Sequence, residues 1–192
     1  MGRQRSSNGF TIVELLLVIV VVAILAAMTV IAFNGIQQRS RNSAKLSTVQ
    51  SIVKVLSLYR VEHDAFPVTT NSAICLTLDN VCTTYNGVAT AASNASLTSA
   101  LSVYGTLPTS ANDNSAGTYY GIHYQYTTTR TLESVANPLI IIFWLDGINQ
   151  NCAGTVSGMV SVNDGSGTMT PAANARANTG TNQTRCYLMY PN

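Results

Sequence analysis

From Leu15 to Phe33 the chain carries no charge, and its one polar residue there is Thr29. Wound as a helix at 1.5 Å per residue, this run of ~19 residues covers ~28 Å, enough to cross the hydrocarbon core of a bilayer. A secretory signal would be shorter in its apolar part and would end at a small-x-small site. Ala23-Ile24-Leu25-Ala26-Ala27 mimics such a site, but the apolar run continues past it, so a retained segment is expected.

Glu14 stands at the entrance to this run. A carboxylate at membrane depth costs ~2.5–3.5 kcal/mol even on a lenient insertion scale, so it needs a partner or a way out. Thr11-x-x-Glu14 has capping-box spacing, with Thr11 bonding the Glu14 amide while the carboxylate reaches back to Thr11. That local role does not account for Gly9 directly before an aromatic residue, nor for Arg3 and Arg5 in so short a leader.

Gly9-Phe10-Thr11-Ile12-Val13-Glu14-Leu15-Leu16 resembles the class III signal of type IV pilins and pseudopilins. The resemblance is strong over residues 5–36 and weak beyond. It implies that a prepilin peptidase cuts between Gly9 and Phe10 and methylates the Phe10 amine. Thr11 and Glu14 would then belong to the assembly segment, with Glu14 pairing with the Phe10 amine of a neighbouring subunit. A buried cation can compensate a buried anion where lipid cannot. The competing local explanation is a pairing of Phe10 and Glu14 within one chain, four residues apart on one helix face. Pilins often carry a proline about where Ile31 stands; here Asn34-Gly35 is the soft spot, since glycine inside a helix costs ~1 kcal/mol against alanine.

Charge alone does not orient the segment, because Arg3 and Arg5 precede it and Arg39, Arg41 and Lys45 follow. The cysteines do. Cys75, Cys82, Cys152 and Cys186 all follow the apolar run, and an even number without metal-ligand spacing reads as disulfides in an oxidising space. Without Arg3 and Arg5, the eight basic and eight acidic side chains that remain cancel, so no strong basic field indicates nucleic acid. The residues beyond the anchor suffice for one core.

The helix is expected to continue to about His63, because no proline occurs before Pro67 and Gln37 to Glu62 suits a helix. Leu46, Val49, Val53 and Leu56 recur at spacings of three and four, and Ile52, Val55 and Tyr59 widen the stripe into a face fit to pack on a sheet. Phe66-Pro67 closes it; Tyr59-Arg60 followed by this pair also resembles the close of many pilin helices. Leu97, Ala100, Leu101 and Tyr104, ended by Gly105, suggest a short helix. Thr118 to Tyr126 alternates, which reads as a half-buried strand with Tyr120, Ile122, Tyr124 and Tyr126 on one face and His123 on the polar one. Leu139 to Leu145 reads as a central strand, and Val156–Val162 and Cys186–Tyr190 supply two more. The fold class expected is α+β, a long N-terminal helix packed on an antiparallel sheet. The divisions are a leader over 1–9, a membrane or fibre-core half-helix over 10–36, an exposed half over 37–65 and a head over 66–192.

Four cysteines allow three pairings and the sequence selects none. The pairing adopted is Cys75–Cys82 with Cys152–Cys186, the second closing a C-terminal loop like the disulfide-bounded region of many pilins. Catalysis finds little support: His63 and His123 read as surface residues, and no nucleophile elbow, P-loop or paired-carboxylate motif appears. Arg39, Arg41, Lys45, Lys54 and Arg60 read as a solvated flank rather than a groove for DNA or lipid headgroups. Asp146-Gly-Ile-Asn149-Gln-Asn151 and Asn163-Asp164-Gly165-Ser166 offer oxygen ligands, and major pseudopilins of type II secretion are known for a calcium site. Neither run fits the EF-hand pattern, so hydrogen-bonded turns and no metal are expected. Asn94-Ala-Ser96 and Asn182-Gln-Thr184 are formal glycosylation sequons.

The resemblance implies a structural subunit rather than an enzyme: a single-pass precursor in the cytoplasmic membrane that moves into an extracellular fibre of its own copies. Its partners would be the prepilin peptidase, an assembly ATPase and an inner-membrane platform protein. The alternatives are a minor pilin or pseudopilin serving adhesion, DNA uptake or secretion, and an anchored ectodomain that never polymerises.

Overall fold

The computed structural model describes residues 11–69, 73–79, 81–82, 94–109, 119–126, 131–132, 135–148, 150–152, 156, 159–161 and 182–190. The leader, Gly9, Phe10 and the run Asn163–Ser166 lie outside the described residues. The chain divides into two units, Met1–Arg39 and Ser40–Asn192.

The first unit is built on the beginning of α1 (Ile12–His63). Its side chains from Ile12 to Val30 are exposed, aliphatic ones included. Length and composition are those of a helix able to cross a membrane. Thr29 does not break the apolar character, because its hydroxyl donates to Ala26 O at 2.8 Å and is satisfied within the helix.

In the second unit α1 continues without interruption to His63. It stops where Asp64 takes a φ of 55°, the left-handed region that ends a helix and that aspartate enters more readily than most residues. The remaining elements are β1 (Ile74–Cys75), α2 (Ala95–Ser102), β2 (His123–Tyr126), β3 (Thr131–Leu132), β4 (Val135–Ala136), β5 (Leu139–Asp146), β6 (Val160–Ser161) and β7 (Gln183–Tyr190). β1, β2, β5, β7 and β6 form, in that order, one sheet, and β3 pairs with β4. Neighbouring strands are antiparallel throughout. The α+β class read from the sequence is therefore the observed one.

The stripe on α1 meets this sheet. Val49, Ile52, Val53, Val55 and Leu56 share one core with Ile122, Tyr124, Tyr126, Leu139, Ile141, Phe143, Leu145, Cys186 and Leu188. Each fully buried aliphatic side chain in it contributes roughly 1.5–3 kcal/mol of transfer free energy. The opposite face of β5 and β7 gathers Ile140, Ile142, Trp144, Tyr187 and Met189 into a second cluster. β5 is buried on both faces, which is why it is continuously apolar instead of alternating.

Two-sided burial also corrects the reading of His123. Placed on a polar, surface-facing side by its alternation with Tyr124, it is 1% exposed, its ring edge-on to Trp144 at 5.2 Å. The half-buried strand expected from Thr118 begins only at His123; Gly121, with φ 93°, turns the chain just before it, and Thr118 is not among the described residues. Strand structure in the Val156–Val162 segment is confined to Val160–Ser161 among the described residues, while β7 starts three residues before Cys186. α2 begins behind Asn94, whose side chain accepts the Leu97 amide at 3.0 Å. It ends at Ser102, before Tyr104; Gly105 allows a close approach, since a Cβ there would stand 2.7 Å from Val55 Cγ2.

Candidate functional site

At the start of α1, Glu14 closes a capping box. The Thr11 amide and the Thr11 hydroxyl both donate to Glu14 Oε2 at 2.9 Å, and the Glu14 amide donates to Thr11 Oγ1 at 3.2 Å. Two amides that the first helical turn would leave orphaned are satisfied reciprocally. The carboxylate thus has a resting place within one chain, at the mouth of a helix whose next nineteen residues are apolar but for Thr29. Any outside cation that recruits Glu14 must compete with Thr11. Gly9 and Phe10, the expected processing pair, fall outside the described residues.

The cations after the apolar run do not form a common solvated flank. Arg41 Nε lies 2.7 Å from Asp146 Oδ2, Lys45 is only 8% exposed, and the Arg60 guanidinium sits 5.1 Å from the Phe66 ring centroid and 5.6 Å from that of Tyr190. Arg39 and Lys54 are exposed. The sequence reading treated five positions alike because it saw only their charge. Their places on the helix differ: Lys45 lies on the buried side of α1, and Arg41 reaches a carboxylate 105 residues away.

Asn42 was missed altogether. Its Oδ1 accepts the Asp146 amide at 2.8 Å, and its Nδ2 donates to Asp146 O at 2.9 Å and to Gln150 Oε1 at 3.3 Å. Gln150 N donates to Thr184 Oγ1 at 2.9 Å, and that hydroxyl donates to Gly147 O at 2.7 Å. A signal existed: Asn42 stands seven residues before Val49, on the line of the buried stripe, where a polar residue needs hydrogen-bond partners. This clamp engages Asp146, the leading oxygen ligand of one calcium candidate, with a guanidinium. Asn149 of that run lies outside the described residues. Among the described residues no group of three or more His, Cys, Asp or Glu side chains could hold a metal.

Cys75 is bonded to Cys82 and Cys152 to Cys186, each pair 5.7 Å apart at Cα. Of the two sequons, Asn94 serves as the cap of α2, and in the second Asn182 is exposed just before β7 while Thr184 is buried within it.

A second polar group lies at the end of α1. The Tyr104 hydroxyl donates to Glu62 Oε2 at 2.6 Å and meets His63 Nε2 at 3.2 Å. Tyr59 packs on both His63 and Tyr104, with ring centroids 4.1 and 5.6 Å away. The bond to the Glu62 carboxylate, reinforced by desolvation and by negative charge nearby, pushes the Tyr104 phenol from 10.0 up to about 12. His63 is exposed, as read from the sequence, and ties the end of α1 to the segment following α2.

Residues 4–30 match the family model of the prokaryotic N-terminal methylation motif. The chain is 29% identical over 75 residues to the type IV wide pilus major component of Thermus thermophilus, covering 39% of this chain and 56% of that one. Over 67 residues it is 28% identical to type II secretion system core protein G of Klebsiella michiganensis and 27% identical to its namesake in Aeromonas hydrophila, covering 35% of this chain and 47% of each. The chain thus spans about half the length of the curated relatives it matches. No solved structure matches significantly. These relatives are components of a pilus and of secretion systems, not enzymes.

Proposed function

We propose that this chain, which stands with the type IV pilins and pseudopilins, is a structural subunit of a pilus or pilus-like fibre. It is cleaved between Gly9 and Phe10, methylated at Phe10 and polymerised through α1. The observation that carries this reading is the methylation-motif match over residues 4–30, whose part from Ile12 onward is helix with its apolar side chains exposed in the single chain. Such a surface has two refuges, lipid and other copies of itself. Transfer from the first to the second gives back in the fibre the burial lost on leaving the bilayer. An assembly ATPase and a membrane platform protein would supply the work of extraction, and Glu14 would exchange Thr11 for the Phe10 amine of a neighbour.

The relatives named as type II secretion core proteins support a second reading within the same architecture, a pseudopilus subunit serving secretion. Both readings place the precursor in the cytoplasmic membrane and the head outside it. Mass spectrometry of the mature chain tests them together: the expected N-terminus is a monomethylated Phe10. An intact Met1, or an end near Ala27, overturns both. Fibres sheared from the cell surface and dominated by this chain support the pilus; fibres that appear only with an active secretion system support the pseudopilus.

A further inference from the structure

We propose that Glu62, His63 and Tyr104 form a coordination site for a divalent transition-metal ion, copper foremost, at the end of α1. The site rests on the folded head alone and not on polymerisation.

Three donor atoms of different kinds converge here. The Tyr104 hydroxyl lies 2.6 Å from Glu62 Oε2 and 3.2 Å from His63 Nε2. Around an ion held about 2.0–2.2 Å from nitrogen and oxygen ligands, donors at right angles stand about 3 Å apart. Both separations are close to that edge, so the ion needs only to replace the phenol proton. Glu62 and His63 are exposed, which leaves the remaining positions to water. For one imidazole with two oxygens, copper stands highest among the divalent first-row ions.

The surroundings favour a cation. α1 ends at His63, and the carbonyls of its last turn carry the negative end of the helix dipole. Asp64 follows, also exposed. Arg60, the basic residue of the same turn, is drawn over Phe66 and Tyr190, and among the described residues no ammonium or guanidinium pairs with Glu62. Tyr59 packs on His63 at 4.1 Å and on Tyr104 at 5.6 Å, which sets the direction of both donors before an ion arrives. On binding, the Tyr104 O–H bond breaks, its electron pair stays on the oxygen that ligates the ion, and the proton goes to solvent. Because Glu62 holds that proton up to about 12, affinity climbs with pH.

The chain has 2 histidines, and His123 is 1% exposed, so an imidazole signal from bound copper belongs to His63. Copper sulfate titrated into the full chain in detergent, in a non-coordinating buffer, tests the proposal by electron paramagnetic resonance and visible absorption. The expected result is one ion per chain with coupling to a single imidazole nitrogen, a phenolate-to-copper absorption band, and an affinity rising about tenfold per pH unit as one proton is released. Tyr104→Phe should abolish the band, and His63→Gln the nitrogen coupling. Each of these and Glu62→Gln should weaken binding about tenfold or more, the least that even a partner one shell further out costs a metal site. Disulfide content and near-ultraviolet circular dichroism show that the variants fold; where Tyr104→Phe does not, Glu62→Gln and His63→Gln, both on the exposed helix end, decide. Copper bound without imidazole coupling, or with equal affinity in the folded variants, overturns the proposal and leaves the three residues as a brace between α1 and the segment after α2.

Discussion

Gly121 lies so close to Cys82 that a Cβ added to it would overlap the cysteine Sγ and stand 2.6 Å from its Cβ. Its φ of 93° is also one that side-chain-bearing residues rarely adopt. Two independent costs therefore fall on Gly121→Ala: a left-handed backbone and an overpacked contact with the Cys75–Cys82 disulfide. Together they should lower stability by about 2–5 kcal/mol, read as a shift of the urea midpoint of the full chain in detergent. Gly105→Ala, opposed by the Val55 methyl, should cost less, because a side-chain tip can move and the backbone there is unstrained.

Tyr104 and Tyr124 give two different alkaline titrations. Tyr104 is raised to about 12, chiefly by its bond to Glu62. Its folded value lies above the unfolded value of 10.0, so the stability it contributes is full below pH 10 and is lost as pH rises through about 12. Subtracting the 295 nm titration of Tyr104→Phe from that of the parent should reveal one phenol ionising near 12. Glu62→Gln should bring that phenol down. Burial, the largest cause, pushes Tyr124 much further up, and its hydroxyl donates to Pro67 O; it should ionise only as the head unfolds.

How far the sequence reveals this fold depends on the range of the interaction concerned. The helix stripe at Val49, Ile52, Val53 and Leu56 was legible because a period of 3.6 is a local property, and β5 because a solid apolar run bounded by Pro138 and Asp146-Gly147 leaves few other readings. The burial of His123 was not legible. It depends on Trp144 and Tyr187 presenting aromatic rings on the sheet face away from α1, a matter of cross-strand register: His123 pairs with Ile142, which pairs with Tyr187. Arg41 and Asn42 are bound to Asp146 across more than a hundred residues, and no spacing rule reaches that far. In the candidate site, Thr11 and Glu14 were legible as a capping box because both partners lie within one helical turn.

The clamp predicts an asymmetry. Asn42→Ala leaves the Asp146 amide and carbonyl without the amide that satisfies them and should cost about 1–3 kcal/mol per orphaned group. Arg41→Ala strips a carboxylate that is 6% exposed of its guanidinium, although the arginine itself is one-third exposed and partly screened. That cost should be smaller and should shrink further in high salt. Because Asp146 already has its cation, calcium should leave the thermal midpoint of the parent chain unchanged. A calcium-dependent rise would show that the loop after β5 binds the ion despite Arg41.

Thr11 and Glu14 can be separated as cap and as assembly element. Thr11→Ala removes the hydroxyl from the box, and loss of such a cap typically costs about 0.5–2 kcal/mol. That loss stays local to the first turn, so the unfolding midpoint of the head should not move. If the carboxylate acts only as a cap, Glu14→Ala should match Thr11→Ala in every assay. If Glu14 leaves Thr11 for the amine of a neighbouring subunit, the two variants part. Thr11→Ala should assemble nearly as the parent does, because the carboxylate is freed rather than lost, whereas Glu14→Ala should be processed at Gly9 yet yield few fibres. The comparison needs only the N-terminal mass and the amount of chain in sheared fibres for each variant. Equal yields from both would return Glu14 to the role of a helix cap.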